Sequence, residues 1–283
     1  MFKKLLKYDM LSVWRFWWIL AISVLSLSVV GSFVLRFVIT YIENPNFSFF
    51  TGIAIFFLVI CFLVIFSSAF ATELFIYLRF YKNFFTDEGY LTFTLPVSRR
   101  QLYLSKMLNA LIWQSLHVLL LIACAAIFLL FAPPAKNGLI DPTGFVLIGQ
   151  AIAAAWDAMG GWLIVYVLEV LLLIGVSQLF NIGMIHFCIT IGSIIAKKAK
   201  LLAAIGIYYG INMAFSMAMQ ILGTIAMMSL IDGFAYFTMD FTLTQGLTFI
   251  AMLLLIITAM MAVLAALLNC VTLDRIEHRL NLA

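Results

Sequence analysis

A chain of 283 residues that is 66% hydrophobic and 10% charged, with a mean hydropathy of +1.18, carries more apolar surface than a soluble domain of this size can bury. The apolar residues come in long continuous runs, which excludes a membrane barrel built from short alternating strands. A net charge of +4 is no signature of nucleic-acid binding here, because the basic residues are sorted between the runs.

The first residues, MFKKLLKYDMLSVWRFWW, place Phe2, Leu5, Leu6, Met10, Val13, Trp14 and Trp17 at helical spacing with lysines opposite. That pattern predicts an amphipathic helix over 1–16 lying in the inner membrane interface; the alternative is that it simply begins the first span. The apolar run behind it is too long for a signal peptide and ends in no small-residue cleavage pattern. The first span is expected from Trp17 to Thr40, the second from Thr51 to Glu73 and the third from Met107 to Phe131. A fourth tract, Gly160 to Ala196, holds 37 residues, which would reach roughly 55 Å against a hydrocarbon core of about 30 Å. One of its ends must leave the bilayer. The fifth span is expected from Leu201 to Leu230 and the sixth from Gly246 to Val271. The expected fold is therefore all-α, a single transmembrane domain over 1–283 with six spans.

The five prolines, Pro45, Pro96, Pro133, Pro134 and Pro142, fall in the expected connections, where a residue without a backbone donor does least harm. Of the 16 basic residues, 14 fall on one side of the expected spans, and only Arg36 and Lys136 lie on or near the other. Positive charge resists translocation, so both termini are expected in the cytoplasm, in a plasma membrane of bacterial type. Cys61, Cys124, Cys188 and Cys270 stand in separate runs and read as small packing residues, with no metal or disulfide pattern.

No G-x-x-x-x-G-K-[ST], H-E-x-x-H or G-x-S-x-G occurs, so the chain is expected to hydrolyse no nucleotide itself and to be no enzyme. Glu73, His117 and Glu169 are ionisable groups within apolar runs and could relay protons in a carrier driven by an ion gradient. The plainer reading puts Glu73 at the headgroups and gives His117 an interhelical hydrogen bond. In the fifth run Gly206, Gly210, Ala214 and Ala218 stand four apart, forming a smooth strip for a second subunit, for the transport path or for packing within the chain.

Between the second and third spans, residues 80–106 read FYKNFFTDEGYLTFTLPVSRRQLYLSK. Gly89 is expected to stop the helix from the second span, and Ser98 with Gln101 forms a capping box that starts the next. The intervening Tyr90, Leu91, Phe93 and Leu95 need a covering surface, either the membrane or a partner protein. The run Glu88, Gly89, Leu91, Leu95, Pro96, Ser98, Arg99, Ser105, Lys106 resembles the cytoplasmic loop of permease subunits of type-2 ATP-binding cassette transporters. The resemblance extends to the plan of an interfacial helix, six spans and internal termini. It implies that the loop is a coupling helix docking into a separate ATPase subunit through Asp87, Glu88, Gly89, Tyr90, Leu91, Phe93, Leu95, Pro96, Ser98, Arg99, Arg100 and Lys106. It further implies ATP and magnesium on that partner, no cofactor on this chain, and a second permease copy. The family often has a re-entrant element between the last two spans, where this chain has the short, aromatic residues 231–245. A membrane scaffold or immunity protein that transports nothing is the remaining class.

Overall fold

The computed structural model describes residues 2–43, 46, 48–132, 142–196, 198–236 and 243–278. Among them the chain is helical with no strand: α1 (Phe2–Tyr41), α2 (Ser48–Phe85), α3 (Asp87–Phe93), α4 (Arg99–Phe131), α5 (Thr143–Met159), α6 (Trp162–Ile195), α7 (Lys200–Tyr236) and α8 (Leu243–His278). Six of these, α1, α2, α4, α6, α7 and α8, are long and apolar enough to cross a membrane. The chain is an all-α membrane protein.

Excess length is general and not confined to the fourth span. α1 has 40 residues and α4 has 33, roughly 60 and 50 Å at 1.5 Å per residue, against a hydrocarbon core of about 30 Å. No break separates residues 2–16 from the first span, because α1 is one continuous helix. Its early turns are nevertheless two-faced, with Lys3, Lys4 and Lys7 exposed and Val13 and Trp17 buried. Trp14 departs from the expectation by facing outward, and Asp9 joins the buried side.

The apolar helix α5, 17 residues long, is an element the sequence reading left out. It abuts the end of α4, where a Cβ on Gly144 would stand 2.7 Å from the Leu129 carbonyl oxygen. It stops at Gly160, whose φ of 57° is a backbone state glycine adopts without strain. Pro96 and Pro142 lie between helices as expected; Pro45, Pro133 and Pro134 lie outside the described residues. Residues 231–236 continue α7, and residues 237–242, which belong to the segment set against a re-entrant element, lie outside the described ones.

The chain divides into two compact units, Met1–Arg79 with Leu104–Gly160, and Phe80–Tyr103 with Gly161–Ala283. In the first, buried residues recur every three or four positions: Ala21, Val24, Ser28 and Gly31 on α1, Cys61, Ile65, Ser68 and Thr72 on α2, Trp113, His117, Leu120 and Cys124 on α4. Val24, Ile65 and Cys124 meet at the centre. Small side chains let the helices approach: a Cβ on Gly31 would lie 3.0 Å from the Phe128 ring and 3.6 Å from Cys61. Near the start of α4, Asp9 accepts a 2.6 Å hydrogen bond from Ser105 Oγ and forms an ion pair with the Lys106 ammonium. Asp9 and Lys106 are only 8% and 9% exposed, so each charge depends on the other for compensation. Trp113 stands beside this pair's helices, 5.3 Å from Trp17.

In the second unit α6 packs against both α7 and α8. A Cβ on Gly192 would lie 2.5 Å from the Ala204 backbone nitrogen, and one on Gly183 would lie 2.6 Å from Asn269 Nδ2. Asn269 in turn accepts a 2.5 Å hydrogen bond from the Tyr103 hydroxyl. The first half of α6 shows Ile164, Val167, Leu168 and Leu171 outward, a surface suited to acyl chains. Cys61, Cys124 and Cys188 are buried packing residues; Cys270 is exposed, against expectation.

The Asp9–Lys106 pair gives a direct test. Asp9→Leu alone removes the carboxylate paired with a buried ammonium and should cost on the order of 3–5 kcal/mol, whereas Asp9→Leu with Lys106→Met should recover most of that loss. Unfolding of the three proteins by denaturing detergent in mixed micelles measures both quantities, and equal stabilities would contradict the pairing.

Candidate functional site

The loop after α2 is built on an aromatic base. Phe80, Phe84 and Phe85, the end of α2, are buried. Phe80 stacks on the His186 imidazole with ring centres 3.9 Å apart, and Tyr103 meets the same imidazole edge-on at 5.7 Å. Lys200 Nζ, at the start of α7, donates to the Phe85 carbonyl at 3.3 Å. The chain then bends at Thr86 and forms α3.

Gly89 does not stop the second span. That helix ends at Phe85, and Gly89 sits buried inside α3. Its role is steric, since a Cβ there would lie 3.0 Å from the Phe84 carbonyl oxygen. α3 closes with the Thr94 N–H donating to Tyr90 O at 3.2 Å, and a turn through Leu95 and Pro96 leads to Ser98. Ser98 Oγ accepts the Gln101 N–H at 3.3 Å, the half of the capping box that starts α4.

The twelve residues expected to face a partner divide sharply. Tyr90, Leu91 and Leu95 are 53%, 74% and 45% exposed, and Asp87, Glu88, Pro96 and Ser98 also face outward. Phe93 is instead half-buried, its ring edge-on to Phe84 at 5.6 Å and beneath the Arg99 guanidinium at 5.3 Å. Arg99 Nη1 donates to the carbonyls of Ile276 and Glu277 at 2.9 and 2.6 Å. Arg100 Nε bonds the Glu277 carboxylate at 2.8 Å. Lys106 is buried on Asp9. Arg99 and Lys106 are thus turned into the chain, by carbonyls at a helix end and by a buried carboxylate, while Arg100 stays largely exposed as it pairs with Glu277. What remains outward is an apolar knob with Asp87 and Glu88 before it and Arg100 after it.

The membrane-depth polar groups are also sorted. His117 Nε2 lies 3.2 Å from Ser68 Oγ, and His117 Nδ1 lies 3.2 Å from Thr72 Oγ1. Both ring nitrogens therefore serve the α2–α4 contact, as the plainer reading held. Gln114 Nε2 donates to the Tyr77 hydroxyl at 2.8 Å across the same contact. Glu73 follows Thr72 by one residue, about 100° around the helix, and is half-buried. Glu169 belongs to the other compact unit, half-buried on α6.

The strip of Gly206, Gly210, Ala214 and Ala218 lies on an exposed face of α7, and a Cβ on Gly206 or Gly210 would meet nothing within 4 Å. Among the described residues, these two glycines meet no packing partner within the chain. Among glycines that do admit a neighbouring helix, Gly31, Gly183 and Gly192 were not singled out. Asp9 and His186 were likewise unmarked as contacts; their only sequence signals were a lone carboxylate and a lone imidazole on otherwise apolar helix faces.

Comparison with known protein families, with curated proteins and with solved structures finds no match to this chain.

Gly89→Val should push α3 off the Phe84 carbonyl, at a cost of about 1–3 kcal/mol from overpacking. Limited proteolysis is expected to cut the variant within residues 86–98 faster than the parent, with the six long helices still protected. Unaltered cleavage would show that the close approach at Gly89 is unimportant.

Proposed function

We propose that this chain is the membrane subunit of an ATP-driven exporter of the type-2 ATP-binding cassette kind. The observation that carries the reading is the α3 knob, where Tyr90, Leu91 and Leu95 stand exposed on a short helix joining two long apolar ones. An apolar cluster in a cytosolic loop needs a cover. The neighbouring Asp87 and Glu88 would be repelled by an anionic lipid surface, which favours a protein groove. The sequence around the knob, EGYLTFTLPVSRRQLYLSK, resembles the coupling loop of such permeases.

In this reading a separate ATPase subunit grips α3, with ATP and magnesium bound on that partner. Closure of two ATPases would displace two such loops and drive the spans between inward- and outward-open states. The work done on this chain is conformational, with no bond chemistry. The concentration of basic residues on one side supports cytoplasmic termini in a bacterial cytoplasmic membrane. The exposed strip from Gly206 to Ala218 is the face on which a second copy or a related permease would approach, with membrane lipid covering the remaining apolar surface. A carrier driven by an ion gradient through Glu73, Glu169 and His117 is disfavoured, since Ser68 and Thr72 already engage both nitrogens of His117.

The test is affinity purification of the chain from membranes of its own producing cell. The parent should carry with it a P-loop ATPase, identifiable by mass spectrometry and by ATP hydrolysis. Tyr90→Ser with Leu91→Asp and Leu95→Asp should lose it at least about tenfold, as expected when apolar anchors of an interface are replaced by charges. A parent that brings down no such ATPase, or a triple variant that retains it, overturns the proposal.

A further inference from the structure

The last turn of an α-helix leaves carbonyl oxygens without intrahelical donors. On α8 two of these are met from the loop that carries α3. Arg99, the first residue of α4, reaches Ile276 O and Glu277 O with one nitrogen, at 2.9 and 2.6 Å. The adjacent Arg100 holds the side chain of the same Glu277. The Arg99 guanidinium also lies over the ring of Phe93, the last residue of α3. One side chain therefore touches the end of the short helix and the end of the last long one, and itself begins α4.

The link between α3 and Arg99 leaves little slack. Residues 94–98 are tied by hydrogen bonds from Thr94 N to Tyr90 O, from Leu95 N to Thr92 O and from Val97 N to Leu95 O, with Ser98 Oγ capping α4. Arginine suits this junction better than lysine: its planar, permanently charged guanidinium can lie on the Phe93 ring while one of its nitrogens gives its two protons to two carbonyls, whereas an ammonium has no plane to stack.

We infer that Arg99 is a positioning residue that fastens the docking helix to the last membrane helix, so that α3 and the C-terminal turn of α8 move as one body. A displacement applied at Tyr90, Leu91 and Leu95 is then delivered to α8 through Arg99, as well as to α2 and α4 through the chain itself. This delivery rests on the docking reading; the fastening does not.

The experiment uses the full chain in lipid nanodiscs, with its four cysteines replaced and spin labels on Thr94→Cys, beside α3, and Met252→Cys, on the exposed face of α8. Pulsed dipolar spectroscopy should give one narrow distance distribution. Arg99→Gln should broaden it about twofold, and Arg99→Lys should fall between, because it keeps the charge and loses the plane that lies on Phe93. An unchanged width in Arg99→Gln overturns the inference. If that variant is not monodisperse, Arg99→Lys decides by the same criterion. With the co-purified ATPase present, adding ATP and vanadate should leave the Thr94–Met252 distance fixed in the parent and change it in Arg99→Gln, which should still hold the ATPase because the outward face of α3 is untouched. A distance that shifts in the parent also overturns the inference. A parent that binds no ATPase sinks the docking reading alone, and the label widths still judge the fastening.

Discussion

The governing constraint is one of length. Helices of 33 to 40 residues are roughly 50 to 60 Å long, nearly twice the hydrocarbon thickness they cross. Within the bilayer a helix satisfies its own backbone and needs only small or apolar side chains at its contacts. Beyond it, the same helices require polar partners. The charged contacts of this chain gather accordingly near helix ends: Asp9 with Lys106 and Ser105 where α1 meets the beginning of α4, and Arg99, Arg100 and Glu277 where α4 begins and α8 ends.

Several polar groups that enter apolar contacts are held by a defined partner. His117 lies between two hydroxyls of one neighbouring helix, and Tyr103 donates to Asn269. The hydroxyl that accepts the His117 N–H can also donate to a carbonyl of its own helix, Ser68 to Ile65 O or Thr72 to Ser68 O, while the other hydroxyl donates to the bare ring nitrogen, so the imidazole is built into the network of α2. Such a network favours one register of helix contact, since a slip of one residue would leave several groups unsatisfied at once.

The loop from Phe80 to Tyr103 combines a fixed base with an open top. Its base is dry and aromatic, formed by Phe80, Phe84, Tyr103 and His186, and its flanks are tied to α7 by Lys200 and to α8 by Arg99. Its top, Tyr90 to Leu95, is apolar and largely uncovered. A surface that must receive force benefits from this division, because a yielding base would dissipate the displacement before it reached a long helix.

The sequence by itself determined the fold class, the six spans and the place of the outward knob. Continuous apolar runs, proline positions and a capping serine are local properties, and local properties set where helices begin and end. It did not reveal α5, whose 17 residues fall short of a span, nor the continuity of α1 through its amphipathic start. It placed Arg99, Arg100 and Lys106 on the outside with the knob. Only the tertiary structure turned Arg99 and Lys106 inward and left Arg100 exposed, since the groups that attract the first two, the end of α8 and Asp9, are about 177 and 97 residues distant in sequence. The same holds for glycines: spacing marks Gly206 and Gly210 and passes over Gly183 and Gly192, but whether a glycine's missing side chain admits a neighbour depends on which helix lies opposite, and no local pattern encodes that.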